Sequence, residues 1–133
     1  LFYSSGQALY FAKALAPHVL NFTGSDANIV LKFLRRSNAP KSSYQYFFKH
    51  SSDSVAAAAI AAWPPNGGLP ETSDILNLLK RDSETVLVPL LRLLKREKAP
   101  LQAMPYITKI SAEHESMSVR VWASAIVREQ NLS

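Results

Sequence analysis

The side chains that most often hold metals or transfer protons are few in this chain. Histidine occurs at His18, His50 and His114, and His114 stands between Glu113 and Glu115. A metal site needs three or four ligands that converge on one point, whereas adjacent residues of a helix diverge. No two histidines are separated by one helical turn. We therefore interpret His50 and His114 as solvent-exposed turn residues and expect no metal site.

The serines, carboxylates and glycines also lack the spacing of a catalytic or nucleotide-binding site. No serine lies in the Gly-x-Ser-x-Gly motif of hydrolases. Acidic residues cluster near predicted helix starts, where they interact favourably with the helix dipole. The glycine-rich segment Asn66 to Pro70 lacks the Lys and Ser/Thr of a P-loop. Because cysteine is absent, thiol nucleophiles and thiolate metal sites are excluded. The sequence predicts a non-enzymatic protein without a cofactor.

The elements that carry these residues follow a regular division of the chain by proline. Pro40, Pro70 and Pro100 are thirty residues apart, and each precedes a helical pattern. Apolar residues with the spacing of one helix face follow the first two prolines, namely Tyr44, Phe47 and Phe48, then Ile75, Leu78 and Leu79. One helical hairpin cannot bury its apolar face alone, so neighbouring hairpins must stack. The pattern predicts an all-α fold, a short solenoid of helical hairpins.

We expect one helical-repeat domain over all 133 residues, with an irregular unit at 1–40 and repeats at about 41–70, 71–100 and 101–131. The predicted helices are 7–15, 27–36, 54–63, 72–81, 84–98, 101–110 and 117–130. Pro105 is expected to shorten or bend the helix that contains it, and Pro89 to kink its helix or mark the first turn.

Composition and charge limit the partners. The chain is 47% hydrophobic, but no run approaches the roughly 18 apolar residues of a membrane span. A net charge of +5 permits nucleic acid, acidic proteins or anionic lipid as partners. The first residue is Leu1 rather than methionine, so we expect that a targeting segment has already been removed.

Five residues form the candidate partner surface. Arg35, Arg36, Lys95 and Arg96 end the second helices of two hairpins, where cations also offset the helix dipole. Tyr46 lies off the apolar face of its predicted helix, so we expect it to be exposed to solvent or to a partner.

Two segments resemble the pentatricopeptide repeat family. Residues 91–100, which end in Ala99-Pro100, look like the end of that family's second helix, and residues 43–48 resemble the opening of its first helix. The resemblance covers about residues 27–131 and implies a right-handed solenoid that binds single-stranded RNA. The family's main base-reading position falls on Gln45, Ile75 and Pro105. Only Gln45 can hydrogen-bond to a base edge.

The whole chain is also similar to the small, degenerate pentatricopeptide-like subunits attached to the F1 head of mitochondrial ATP synthase in euglenozoans such as trypanosomes and Euglena. This resemblance implies a non-catalytic structural subunit of that complex, which docks on an F1 α subunit by protein–protein contacts. It also implies a location in the mitochondrial matrix, associated with the inner membrane through the complex. The alternative is an RNA-binding pentatricopeptide-type protein that acts in organellar RNA metabolism.

Overall fold

The computed structural model describes residues 10, 14–65 and 67–132. In this part of the chain the backbone forms helices and no strands, so the predicted all-α class is confirmed. The chain divides into two compact units, with the boundary between Gly67 and Gly68. The single repeat domain over all 133 residues stays a prediction. None of the described helices combines the length and apolar character needed to cross a bilayer. The helix expected at 7–15 falls largely outside the described residues.

The elements described for unit 1 include two α-helices, which are separated by two short 3-10 helices. A 3-10 helix at Ala16–Asn21 leads to α1, Gly24–Arg36; the 3-10 helices Lys41–Ser43 and Gln45–Lys49 follow, and then α2, Asp53–Ala61. Helix α1 begins three residues before its predicted start because the Thr23 hydroxyl accepts a hydrogen bond from the Asp26 amide at 3.1 Å. It ends before Asn38, whose φ of 52° turns the chain away.

The aromatic residues of unit 1 occupy its core, but not on an α-helix. Tyr44, Phe47 and Phe48 are all buried, as their spacing predicts. The backbone around them takes the tighter i+3 hydrogen bonding, with the Phe47 amide donating to the Tyr44 carbonyl at 3.0 Å. Trp63 packs on Phe48 with ring centroids 5.6 Å apart. Gln45–Lys49 packs on α2 and on Ala16–Asn21, and α2 also packs on α1.

Unit 2 consists of four α-helices with one 3-10 helix. The elements are α3, Thr72–Leu79; α4, Glu84–Glu97; the 3-10 helix Leu101–Ala103; α5, Met104–Glu113; and α6, Met117–Leu132. The predicted apolar face of α3 is buried, with Ile75 fully enclosed. Helix α6 packs on α4 and α5, and α3 packs on α4 and α5. The core of unit 2 therefore lies between α-helices, whereas the core of unit 1 contains aromatic residues of a 3-10 helix.

The two prolines of unit 2 have different positions in their helices. Pro105 was expected to shorten or bend a helix at 101–110. Instead it stands in the first turn of α5, where an amide proton is not needed, and Leu101–Ala103 is a separate 3-10 helix. Pro89 lies inside α4, which continues past it to Glu97. Its missing amide leaves the Thr85 carbonyl without the usual i+4 donor.

Candidate interaction surface

The two interior histidines hold helix starts in place and are not exposed. His50 is 2% and His114 is 8% exposed, so the prediction that they are solvent-exposed turn residues is wrong. His50 Nδ1 accepts the Ser52 amide at 3.0 Å, and His114 Nδ1 accepts the Ser116 amide at the same distance. Each serine directly precedes a helix, α2 or α6. The rings are buried because they satisfy backbone amides that the helices leave unpaired.

This geometry sets the tautomer of both rings. Since Nδ1 accepts an amide proton, Nε2 carries the ring proton of the neutral imidazole. His50 Nε2 donates to the Phe22 carbonyl at 2.7 Å. His114 Nε2 lies 3.1 Å from Oδ1 of Asp82, but off the direction of a hydrogen bond. Because Nδ1 of each ring already accepts an amide hydrogen, neither ring offers that nitrogen to a metal ion in this arrangement. No group of three potential ligands converges within the described part of the chain.

The predicted partner-surface residues fall into two pairs and one isolated aromatic. Arg35 and Arg36 are exposed in the last turn of α1, and neither pairs with a carboxylate among the described residues. In unit 2, Lys95 Nζ donates to Glu129 Oε1 at 2.9 Å, and Arg96 Nε donates to Glu97 Oε1 at 3.2 Å. Tyr46 is half-buried in the 3-10 helix Gln45–Lys49, so the expectation that it is exposed is met only in part.

A cleft opens beside Arg35 in unit 1. This unit-1 cleft has a volume of about 280 Å³ and is lined by Arg35, Asn38, Ala39, Tyr44, Ala62, Pro64 and Pro65. Tyr44 is only 3% exposed, and its burial raises the pKa of the phenol, an effect that the nearby Arg35 guanidinium partly offsets. The phenol therefore stays protonated at neutral pH and is available as a hydrogen-bond donor at the base of the cleft.

Sequence reasoning assigned Tyr44 to the core and missed its place beside Arg35. The sequence contains one weak indication of this cleft. Asn38 follows a basic helix end and precedes Ala39-Pro40, a pattern typical of a helix terminus in the left-handed conformation.

Unit 2 has a similar cleft and a second one. The unit-2 cleft measures about 360 Å³ and is lined by Leu94, Lys95, Arg96, Lys98, Ala99, Ile126, Glu129 and Gln130. A further opening of about 380 Å³ is lined by Leu79, Lys80, Asp82, Tyr106, Lys109, Ile110, Glu113 and His114. In that opening Lys80 Nζ lies 5.8 Å from the centre of the Tyr106 ring, a cation–π distance. Both openings therefore contain charges that are already engaged.

The positions that the family resemblance assigns to base reading do not form a polar row. Ile75 is fully buried in the core of unit 2 and Pro105 is exposed in the first turn of α5, while Gln45 is half-buried in unit 1. Neither Ile75 nor Pro105 has a polar side-chain atom. The structure thus presents one amide where a base-reading repeat protein presents several.

Comparison with known proteins gives no relative. No protein family model, no curated protein and no solved structure matches the chain.

Proposed function

We propose that the chain is a non-catalytic structural subunit that docks on a larger protein complex. The observation that carries the proposal is the pair Arg35 and Arg36, which are exposed and have no carboxylate partner among the described residues. Arg35 also lines a preformed cleft. Exposed apolar side chains add to this, since Ile29 on α1 is 63% exposed one turn before Lys32. A surface that mixes unpaired cations with apolar groups fits a protein partner.

The resemblance to euglenozoan F1-associated subunits supplies the identity of that partner. We propose the α subunit of the mitochondrial F1 head, and hence the matrix side of the inner membrane. We also propose that the helical hairpins belong to a short right-handed solenoid of degenerate pentatricopeptide-like repeats. The hairpins α3–α4 and α5–α6 support this, because each falls within one of the expected thirty-residue periods.

RNA binding remains the second candidate, favoured by the net charge of +5 and by the three exposed cations Lys32, Arg35 and Arg36 on α1. Base reading is disfavoured by the burial of Ile75. RNA binding without sequence preference would instead need exposed aromatics beside these cations.

Affinity purification tests the proposal. The chain would be expressed with a C-terminal tag in a euglenozoan cell and purified from mitochondrial extract in mild detergent. We expect the F1 α subunit in stoichiometric amount, retained at physiological salt. Recovery of the tagged chain free of any complex contradicts the structural role. Recovery with RNA, lost on ribonuclease treatment, supports the second candidate instead.

A further inference from the structure

The described elements of the two units follow the same order, and several of their packing contacts correspond. In each, a helix precedes a long α-helix, α1 or α4, which is followed by a short 3-10 helix, a further helix, and then α2 or α6. In both units the last helix packs on the long helix and on the helix directly before it, and the first helix packs on that same preceding helix. In unit 2 the first helix, α3, also packs on the long helix α4. Units 1 and 2 thus repeat one arrangement of about sixty residues, two of the expected thirty-residue periods.

Individual residues mark the correspondence. The left-handed residues Asn38 and Lys98 are sixty positions apart, and Ala-Pro follows each of them. His50 and His114 each accept, at Nδ1, a hydrogen bond from the backbone amide two residues further on. The two histidines are sixty-four positions apart. The four extra residues correspond to about one helical turn, because α5 is longer than Gln45–Lys49.

The unit-1 and unit-2 clefts occupy the same place in this arrangement. Each lies at the carboxyl end of the long helix and contains the alanine that follows the left-handed residue, Ala39 or Ala99. The cation at the mouth is Arg35 in one and Lys95 in the other, again sixty positions apart. The clefts differ in what faces that cation.

In unit 2 the cation already holds a carboxylate. Helix α6 continues to Leu132, which brings Glu129 to 2.9 Å from Lys95 Nζ. In unit 1 the corresponding helix, α2, ends at Ala61, and Pro64 and Pro65 line the cleft in its place. None of the described residues that line the unit-1 cleft has a carboxylate.

We propose that the unit-1 cleft binds a carboxylate side chain from an acidic segment of a partner protein, which takes the place at Arg35 that Glu129 takes at Lys95. Arg35 provides the planar guanidinium that pairs with a carboxylate through two hydrogen bonds. The Tyr44 hydroxyl, which makes no hydrogen bond to another described residue, is a further donor at the base of the cleft. Ala39, Ala62 and the prolines form an apolar wall for the methylene groups of a glutamate.

This inference rests on the proposed function in one respect, that the partner is a protein. The chemistry favours a carboxylate over a phosphate because a carboxylate is the group that the equivalent cleft holds. The small apolar wall also suits an aliphatic stem better than a sugar–phosphate chain.

The test measures binding of the full chain to a short fluorescein-labelled peptide of alternating glutamate and leucine by fluorescence anisotropy. The same peptide with glutamine for glutamate is the matched ligand control, and a labelled oligouridine tests RNA. We expect the glutamate peptide to bind more tightly than the glutamine peptide. Arg35→Gln should weaken the affinity for the glutamate peptide about tenfold. Lys49→Gln, at an exposed cation of the 3-10 helix Gln45–Lys49 that lies outside the cleft, should change the affinity less than about twofold.

Two further variants exploit the internal comparison. Pro65→Glu introduces a carboxylate into the cleft wall. It should lower the affinity for the glutamate peptide as Arg35→Gln does, although Arg35 is still present. Glu129→Gln releases Lys95 and should add a second binding site, seen as a doubled peptide stoichiometry. Circular dichroism would confirm that each variant is folded. Equal effects of Arg35→Gln and Lys49→Gln, or equal binding of both peptides, overturn the proposal, as does Arg35-dependent binding of oligouridine alone.

Purification of the tagged Arg35→Gln chain separates this inference from the proposed function. Normal recovery of the complex together with failed peptide binding overturns the cleft proposal and leaves the structural role in place. Arg35-dependent peptide binding by a chain that recovers no complex overturns the structural role and supports the cleft.

Discussion

Replacing His50 by asparagine separates the two hydrogen bonds that the buried imidazole makes. An asparagine oxygen readily accepts the amide two residues on, so His50→Asn keeps the bond from Ser52. It loses the 2.7 Å bond from Nε2 to the Phe22 carbonyl. His50→Ala loses both bonds and most of the packing of a ring that is 2% exposed.

The magnitudes follow from the cost of leaving buried polar groups unpaired. Each unsatisfied partner costs about 1–3 kcal/mol. We therefore expect His50→Ala to lower the free energy of unfolding by about 3–5 kcal/mol and His50→Asn by about 1–3 kcal/mol. His114 is the internal control, because its Nε2 makes no hydrogen bond to Asp82. His114→Asn should cost about 1 kcal/mol, mainly lost ring packing.

Urea unfolding monitored by circular dichroism measures these differences, with the slope of each transition compared between variants. The order of loss should be His50→Ala, then His50→Asn, then His114→Asn. If His50→Asn proves as costly as His50→Ala, the amide bond at Nδ1 does not contribute as inferred. If His114→Asn costs more than His50→Asn, the inferred contribution of the hydrogen bond from His50 Nε2 to the Phe22 carbonyl is wrong.

Three further perturbations test the packing. Ser43 is fully buried and its hydroxyl lacks a partner among the described residues, whereas Ala103 fills the equivalent place in unit 2. Ser43→Ala should therefore raise the free energy of unfolding by about 1 kcal/mol in urea titrations. A decrease in that free energy would show that the hydroxyl makes a hydrogen bond. Leu91 is fully buried in α4, so Leu91→Ala should cost about 2–5 kcal/mol by thermal or urea unfolding, and a loss under 1 kcal/mol would contradict its core position. Burial raises the pKa of Tyr44 above its ordinary value of about 10, so the stability that its protonated form contributes is complete below pH 10 and falls as the pH rises through the folded-state pKa. Tyr44→Phe should abolish that alkaline loss of stability. Parallel profiles of unfolding free energy against pH for the two proteins would refute this prediction.

Local sequence pattern predicted the helices best where their apolar residues repeat with helical spacing. The face of α3 that carries Ile75, Leu78 and Leu79 is buried as expected, because periodicity is a property of neighbouring residues. The same spacing in Tyr44, Phe47 and Phe48 predicted burial correctly but not the 3-10 backbone. That short segment lies between Pro40 and the turn before α2, which leaves little room for α-helical turns.

The candidate surface was only partly predictable. A basic helix end predicts exposed cations, and Arg35 and Arg36 are exposed. Whether such a cation is free depends on residues far away in the chain, and Lys95 is engaged by Glu129. Sequence spacing contains no information on that pairing, since it results from how far α6 extends.

The sequence by itself determined the all-helical class, the buried faces of its helices and the absence of cysteine chemistry, because these depend on composition and on contacts within a few residues. Tertiary structure alone decided that His50 and His114 are buried. His50 reaches the Phe22 carbonyl twenty-eight residues away, and that contact buries a side chain whose neighbours are polar. It likewise decided which basic helix end has a free cation, since a carboxylate brought by the fold neutralises Lys95 while prolines face Arg35.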